Sequence, residues 1–126
     1  MADFTEARIP PHSIEAEKAV LGALLTSESA GDSIMSIVSS RDFYRAHHRI
    51  IFAALQNVIR AHRRADIVLL TEELTRQKKL DEVGGIAYIS SLTNETSALY
   101  NVEEHARIIA EKAQLRRLID AGNKIV

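Results

Sequence analysis

Both prolines of this chain stand side by side at positions 10 and 11, and none follows in all the residues after them. Proline bars helix on its N-terminal side and pushes the residue before it toward extended backbone. The pair therefore fixes where the first helix begins. Ser13 suits its N-cap, and Glu15 and Glu17 fall in the first turn, where the positive end of a helix favours carboxylates. From Ser13 to about Ser27, Ile14, Leu21, Leu24 and Leu25 recur on one side at helical spacing, with Val20 beside them and Glu17 as the odd polar member. A second stripe of Ala19, Gly22 and Ala23 is small. A glycine inside a helix costs about 1 kcal/mol against alanine, which close approach of another backbone would offset.

The same period continues down the chain. A short helix is predicted over 32–39, with Ile34, Ile37 and Val38 inward, and a turn at 40–42 leads into Phe43 and Tyr44. A third helix is predicted over 45–63, with Ile50, Ile51, Ala54, Leu55, Val58 and Ile59 in a wide apolar stripe and Phe52 at its margin. Asp66 can cap a fourth, carrying Ile67, Leu70 and Leu74 and ending near Leu80. Gly84 and Gly85 mark the next break, and a short helix over 86–92 carries Tyr88 and Ile89. After a polar connection, residues 101–104 have the shape of a capping box, with Asn101 in place of Ser or Thr. The last helix runs from there toward the end of the sequence, and 26 residues at 1.5 Å each would span roughly 39 Å. No segment alternates strictly between apolar and polar residues, so the expected fold class is all-α. Residues 1–12 read as a flexible tail, 13–100 as a compact head of about five helices, and 101–126 as one long helix.

The chemistry the chain excludes is informative. There is no G-x-x-x-x-G-K-[ST] or G-x-G-x-x-G run among the five glycines, no cysteine, and no H-E-x-x-H pair among the five histidines. The carboxylates scatter over polar faces without a pair spaced for acid–base work. We therefore expect no catalytic, cofactor-binding or metal-ligating residues in this chain. No run of apolar residues suits a membrane span, and the opening residues lack the build of a signal peptide, which reads as a cytoplasmic protein. One basic stretch exists, with Arg41, Arg45, His47, His48, Arg49, Arg60, Arg63 and Arg64. A solvated, charged face accounts for it, and His48 and His62 are expected on that face. The alternative is a free-standing helical nucleic-acid binder using this stretch. Against it, 16 basic residues face 17 acidic ones, and tryptophan is absent, so neither a phosphate-binding excess nor a base-stacking platform is present.

The last helix is the most suggestive element. Leu115, Leu118, Ile119 and Ile125 form a stripe at i, i+3, i+4 and i+10, and Gly122 holds the i+7 position. Part of the stripe can lie on the head. The rest, with Val126, would be an exposed apolar patch unless another helix covered it.

Five segments together resemble the opening of the bacterial replicative DNA helicases of the DnaB family. R-I-P-P-H-S-I-E-A-E-K-A-V-L-G-A-L-L covers 8–25; D-F-Y-R-A-H-H-R-I-I-F at 42–52 is similar to the family's D-F-Y-x-x-x-H-x-x-I-F. A-D-I-V-L-L-T-E-E-L at 65–74 is similar to its D-x-x-T-x-x-x-x-L helix, with Leu69 where threonine is frequent; L-D-E-V-G-G-I-A-Y-I at 80–89 resembles L-x-x-V-G-G-x-x-Y-L. Residues 101–119 resemble its closing helix. The resemblance implies an N-terminal domain without the RecA-like ATPase domain that would bind ATP and magnesium in the complete protein. It further implies that the last helix is the first arm of a helical hairpin, through which such domains pair and assemble as a trimer of dimers in a hexameric ring. The same layer would receive the C-terminal helicase-binding domain of primase and, in some members, loader proteins. On that resemblance and on residue type, Glu15, Tyr88, Ile119 and Ile125 are the candidate partner-binding residues, and Leu115, Leu118, Gly122 and Val126 the candidate oligomerisation residues. Direct nucleic-acid binding is not expected of this chain.

Overall fold

The computed structural model describes residues 9–94 and 101–125, the last of these by its backbone alone. Within them the order is α1 (Ile14–Thr26), α2 (Ala30–Ile37), a 3-10 turn (Ser40–Asp42), α3 (Ala46–His62), α4 (Ile67–Arg76), α5 (Gly85–Leu92) and α6 (Val102–Ile125), with no strand among the described residues. The fold is all-α, as the periodicity requires.

The ends of these helices follow from side-chain chemistry. Ser13 is the N-cap of α1 and accepts from the Ala16 amide at 3.2 Å, while Asp66 caps α4 by accepting from Leu69 at 2.8 Å. Each cap occupies an amide that the helix leaves without a partner. Arg63 closes α3 in the left-handed region, φ 70, with its amide on the Ile59 carbonyl. α4 stops at Arg76 rather than near Leu80. Lys78 turns left-handed, φ 60, and the Lys79 amide reaches back to the Leu74 carbonyl at 2.9 Å. That closure swings Val83 into the core and leaves Leu80 half-buried.

α1 lies at the centre. It packs against α2, α3, α5 and α6, and its residues from Ala19 to Leu25 are all buried. The small stripe of Ala19, Gly22 and Ala23 is thus interior, as are the larger Val20, Leu21, Leu24 and Leu25. From α3, Ile51, Phe52, Ala54, Leu55 and Val58 complete the core, joined by Leu70 and Leu74 of α4 and Ile89 and Leu92 of α5. Phe52 is not marginal: it is fully buried, with its ring 4.8 Å from that of Phe43. Its position at i+4 from a buried His48 explains this, because the inward face of α3 begins one turn earlier than the aliphatic residues alone suggest.

α6 is divided along its length. Ala106, Ile109 and Ala113 are buried against the head, chiefly on α1 and α2. Beyond Ala113 the helix leaves the core. The segment before α1 is fastened rather than loose from Pro10 on. His12 bonds to the Pro10 carbonyl at 2.7 Å and stacks on Tyr44, with ring centres 4.1 Å apart. Arg116 of α6 donates to the Pro11 carbonyl at 2.7 Å.

The entry to α5 requires glycine. Gly84 has φ 107, and a Cβ added there would sit 2.8 Å from the Cβ of Tyr88. Gly84→Ala is expected to cost about 1–3 kcal/mol through backbone strain and displacement of the tyrosine. Thermal unfolding checks it, and a variant as stable as the parent would mean that this joint is not constrained.

Candidate functional site

Two features stand out on the folded chain: an open apolar stripe on α6, and a buried polar chain that joins α1, α3 and α5. Leu115, Leu118 and Ile119 are 45%, 62% and 50% exposed. They lie on one helix within two turns of one another, so they form a patch and not scattered surface residues. Ile119 also borders a groove whose other wall is Ile9, Pro10 and Arg41.

Two arginines hold this half of α6 in place. Arg116 donates to the carbonyls of Pro11 and Asp42, at 2.7 and 2.6 Å, and its guanidinium lies over the Tyr44 ring. Arg117 pairs with the Asp42 carboxylate at 3.1 Å. Asp42 itself is buried and accepts from the Ser39 amide at 2.9 Å, closing the 3-10 turn. The open stripe is therefore presented at a fixed orientation, set by polar contacts from adjacent positions of the same helix.

The buried chain runs from Glu17 through His48 to Tyr88. Glu17 is 1% exposed and accepts from His48 Nδ1 and the Tyr44 amide, both at 2.7 Å, and from the Arg45 amide at 3.4 Å. His48 is fully buried, with Nε2 2.5 Å from the Tyr88 hydroxyl. The His47 ring meets Tyr88 edge-on, with centres 5.4 Å apart. This corrects two expectations. His48 is not on a solvated face, and Asp42 is not on a polar one, while Glu17 lies inward with the apolar stripe of which it is the odd polar member. The sequence carried the signal: His48, Ile51, Phe52 and Leu55 recur at i, i+3, i+4 and i+7, and an acid within the apolar stripe of α1 needs a partner.

Burial alone would raise the Glu17 pKa. The His48 hydrogen bond, the two amides and the nearby imidazole outweigh it and hold the carboxylate below its ordinary 4.5. His47 is held below its ordinary 6.5 by burial first, then by the charges of His48 and Arg45, against the pull of Glu17. In both cases the unfolded chain binds the proton more readily than the folded one, so stability rises with pH across each window. Unfolding free energy is expected to fall as pH drops through about 6.5, from His47, and again through about 4.5, from Glu17. Denaturant titrations from neutral pH down to about pH 4 measure it. Stability that rises on acidification would contradict the arrangement.

The candidate residues do not converge on one pocket. Glu15 is exposed on the first turn of α1, beside a hollow bordered by Lys18, His105 and Ile108. Ile108 and Ile119 are about 16 Å apart along the α6 axis. Tyr88 is half-buried, with its hydroxyl in the buried chain. A Cβ added at Gly122 would meet nothing within 4 Å, so no other part of the described chain approaches that backbone closely. The Ile125 side chain and Val126 lie outside the described residues. The basic stretch is dispersed as well. Arg49 donates to the Phe43 and Tyr44 carbonyls, Arg64 pairs with Glu28 at 2.8 Å, and His48 is in the core. No cluster of metal-ligating side chains exists among the described residues, and no described helix is long and apolar enough to cross a membrane.

The arrangement has known relatives. The family model described as the DnaB-like helicase N terminal domain matches residues 9–111. The replicative DNA helicase DnaB of Haemophilus influenzae is 42% identical over 120 residues, which are 95% of this chain and 26% of that protein. The DnaB of Geobacillus stearothermophilus is 42% identical over 125 residues, 99% of this chain and 28% of that protein. The chain thus spans about a quarter of the length of these curated relatives. A crystal structure of the N-terminal domain of DnaB helicase from Mycobacterium tuberculosis superposes with a TM-score of 0.88 at 34% identity, covering 93% of this chain and 85% of that one. With a family model matched over 9–111 and relatives at 42% identity over nearly all of its length, this chain is a member of the DnaB-like helicase N-terminal domain family.

Proposed function

We propose that this chain is the assembly and partner-docking module of a replicative DNA helicase, and that it carries no ATPase chemistry of its own. The observation that supports this most is the open stripe of Leu115, Leu118 and Ile119 on a helix whose first half is buried and whose orientation is fixed by Arg116 and Arg117. An apolar patch held rigidly is suited to association, because little order has to be gained on binding. In this reading Leu115, Leu118 and the Gly122 face of α6 meet a second copy of the chain, as the first arm of a helical hairpin, within a trimer of dimers in the whole helicase. Glu15, Tyr88, Ile119 and Ile125 meet the C-terminal helicase-binding domain of primase, and loader proteins are further partners of the same layer. ATP and magnesium belong to the whole protein rather than to these residues, and its place of work is the cytoplasm.

Sedimentation of the 126-residue chain tests the assembly part. A monomer or weak dimer is expected, tightened by lengthening α6 with the sequence that follows in a related helicase. A stable hexamer of the chain alone would overturn it. A charge placed at Leu118 (Leu118→Asp) is expected to abolish whatever dimer is present.

A further inference from the structure

α5 is weakly held by apolar contacts. It has eight residues and buries two side chains, Ile89 and Leu92, while Ile86 and Ala87 on its first turn are exposed. The chain enters it through two consecutive residues in the left-handed region, Gly84 at φ 107 and Gly85 at φ 72, a joint that glycine makes cheap to rotate. Around Gly85 there is open space, since an added Cβ would meet nothing within 4 Å.

Among the contacts that hold α5 is the hydrogen bond between the Tyr88 hydroxyl and His48 Nε2. An ionised Glu17 can only accept, so the Nδ1 of His48 carries the proton that points at it. The other ring nitrogen, Nε2, lies 2.5 Å from the Tyr88 hydroxyl. The backbone amides of Tyr44 and Arg45 also donate to the carboxylate, so the imidazole meets a partner that is itself held in place. His47, edge-on to Tyr88, and Arg45, at the start of α3, are further titratable groups beside the pair.

We infer that the chain Glu17–His48–Tyr88 is a latch and α5 the flap it holds: α5 opens about Gly84 and Gly85 when the tyrosine hydroxyl leaves His48, and shuts when it returns. Two discrete states follow, with few intermediates. His48 is fully buried, so losing the hydroxyl while α5 stays shut would leave a buried Nε2 without this partner, whereas opening brings it water. Opening also changes the surface that α5 presents, while α1, α3 and the first half of α6 remain packed. The inference concerns the free chain and does not depend on any partner.

Amide hydrogen exchange, followed by NMR on the 126-residue chain, tests it. In the parent, the amides of residues 89–92 should exchange faster than those of Leu21 and Leu55, which report global unfolding. In Tyr88→Phe, which removes only the hydroxyl, exchange over 89–92 should rise about tenfold or more, and exchange at Leu21 and Leu55 by a similar factor, because both openings start from the closed state that the hydroxyl stabilises. The gap between the two groups of amides within one sample separates opening of α5 from global unfolding. If residues 89–92 exchange as slowly as Leu21 and Leu55 in the parent, or no faster in the variant than in the parent, the latch does not exist.

Discussion

Glu17→Ala is expected to lower the free energy of unfolding by about 3–5 kcal/mol, because it leaves a buried imidazole and two backbone amides without their acceptor. A domain of this size has roughly 5–15 kcal/mol to lose, so a shift in Tm on the order of 10–20 °C should accompany the change. Glu17→Gln separates charge from volume. Its amide group would set a donor against one of the donors already there, so a large part of the loss should remain. Urea denaturation of the three proteins measures this. If Glu17→Ala were as stable as the parent, the carboxylate would not be the acceptor that joins α1 to α3.

The second large effect belongs to Phe52, which is fully buried against Phe43. Phe52→Ala should cost about 3–5 kcal/mol in transfer and cavity terms. Leu118→Ala removes a side chain that is 62% exposed and should stay within about 0.5 kcal/mol of the parent. The contrast matters for function, because it tells a surface kept apolar for a partner from one that is apolar for the core. Calorimetric unfolding of both variants decides it; a comparable loss in Leu118→Ala would place that residue in the fold instead of at an interface.

Those helix boundaries that rest on local chemistry were legible, whereas α2 runs Ala30–Ile37 and not 32–39. Ser13, Asp66 and the two glycines mark their ends by mechanisms that need no tertiary context. α4 was misjudged at its C-terminus because Lys78 adopts a left-handed turn that lysine does not advertise. The open stripe on α6 was legible too, since helical period alone separates Ala106, Ile109 and Ala113 from Leu115, Leu118 and Ile119. What the chain concealed was the polar interior. Glu17, His48 and Tyr88 are separated by 31 and 40 positions, and only packing of three helices brings them together. Glu17 is visible alone as an acid in an apolar stripe, and Tyr88 as a tyrosine after a glycine pair, whereas His48 is expected on a solvated face. Their pairing is a property of helix–helix geometry, and a histidine read by composition goes to the surface by default.

The two surfaces carry different weights in the functional account. Tyr88 cannot be altered without touching the buried chain, so Tyr88→Ala mixes docking with stability. Ile119 is half exposed, and its neighbour Arg116 already has its guanidinium engaged with Pro11, Asp42 and Tyr44. Truncating Ile119 should therefore change what the surface binds and little else.

Calorimetric titration of the chain with the C-terminal helicase-binding domain of a primase tests the docking account most directly, run on the parent and on Ile119→Ala. The account predicts saturable binding by the parent and binding at least about fivefold weaker in the variant, with unfolding unchanged within about 0.5 kcal/mol. No binding by the parent, or equal binding by the two, would contradict it.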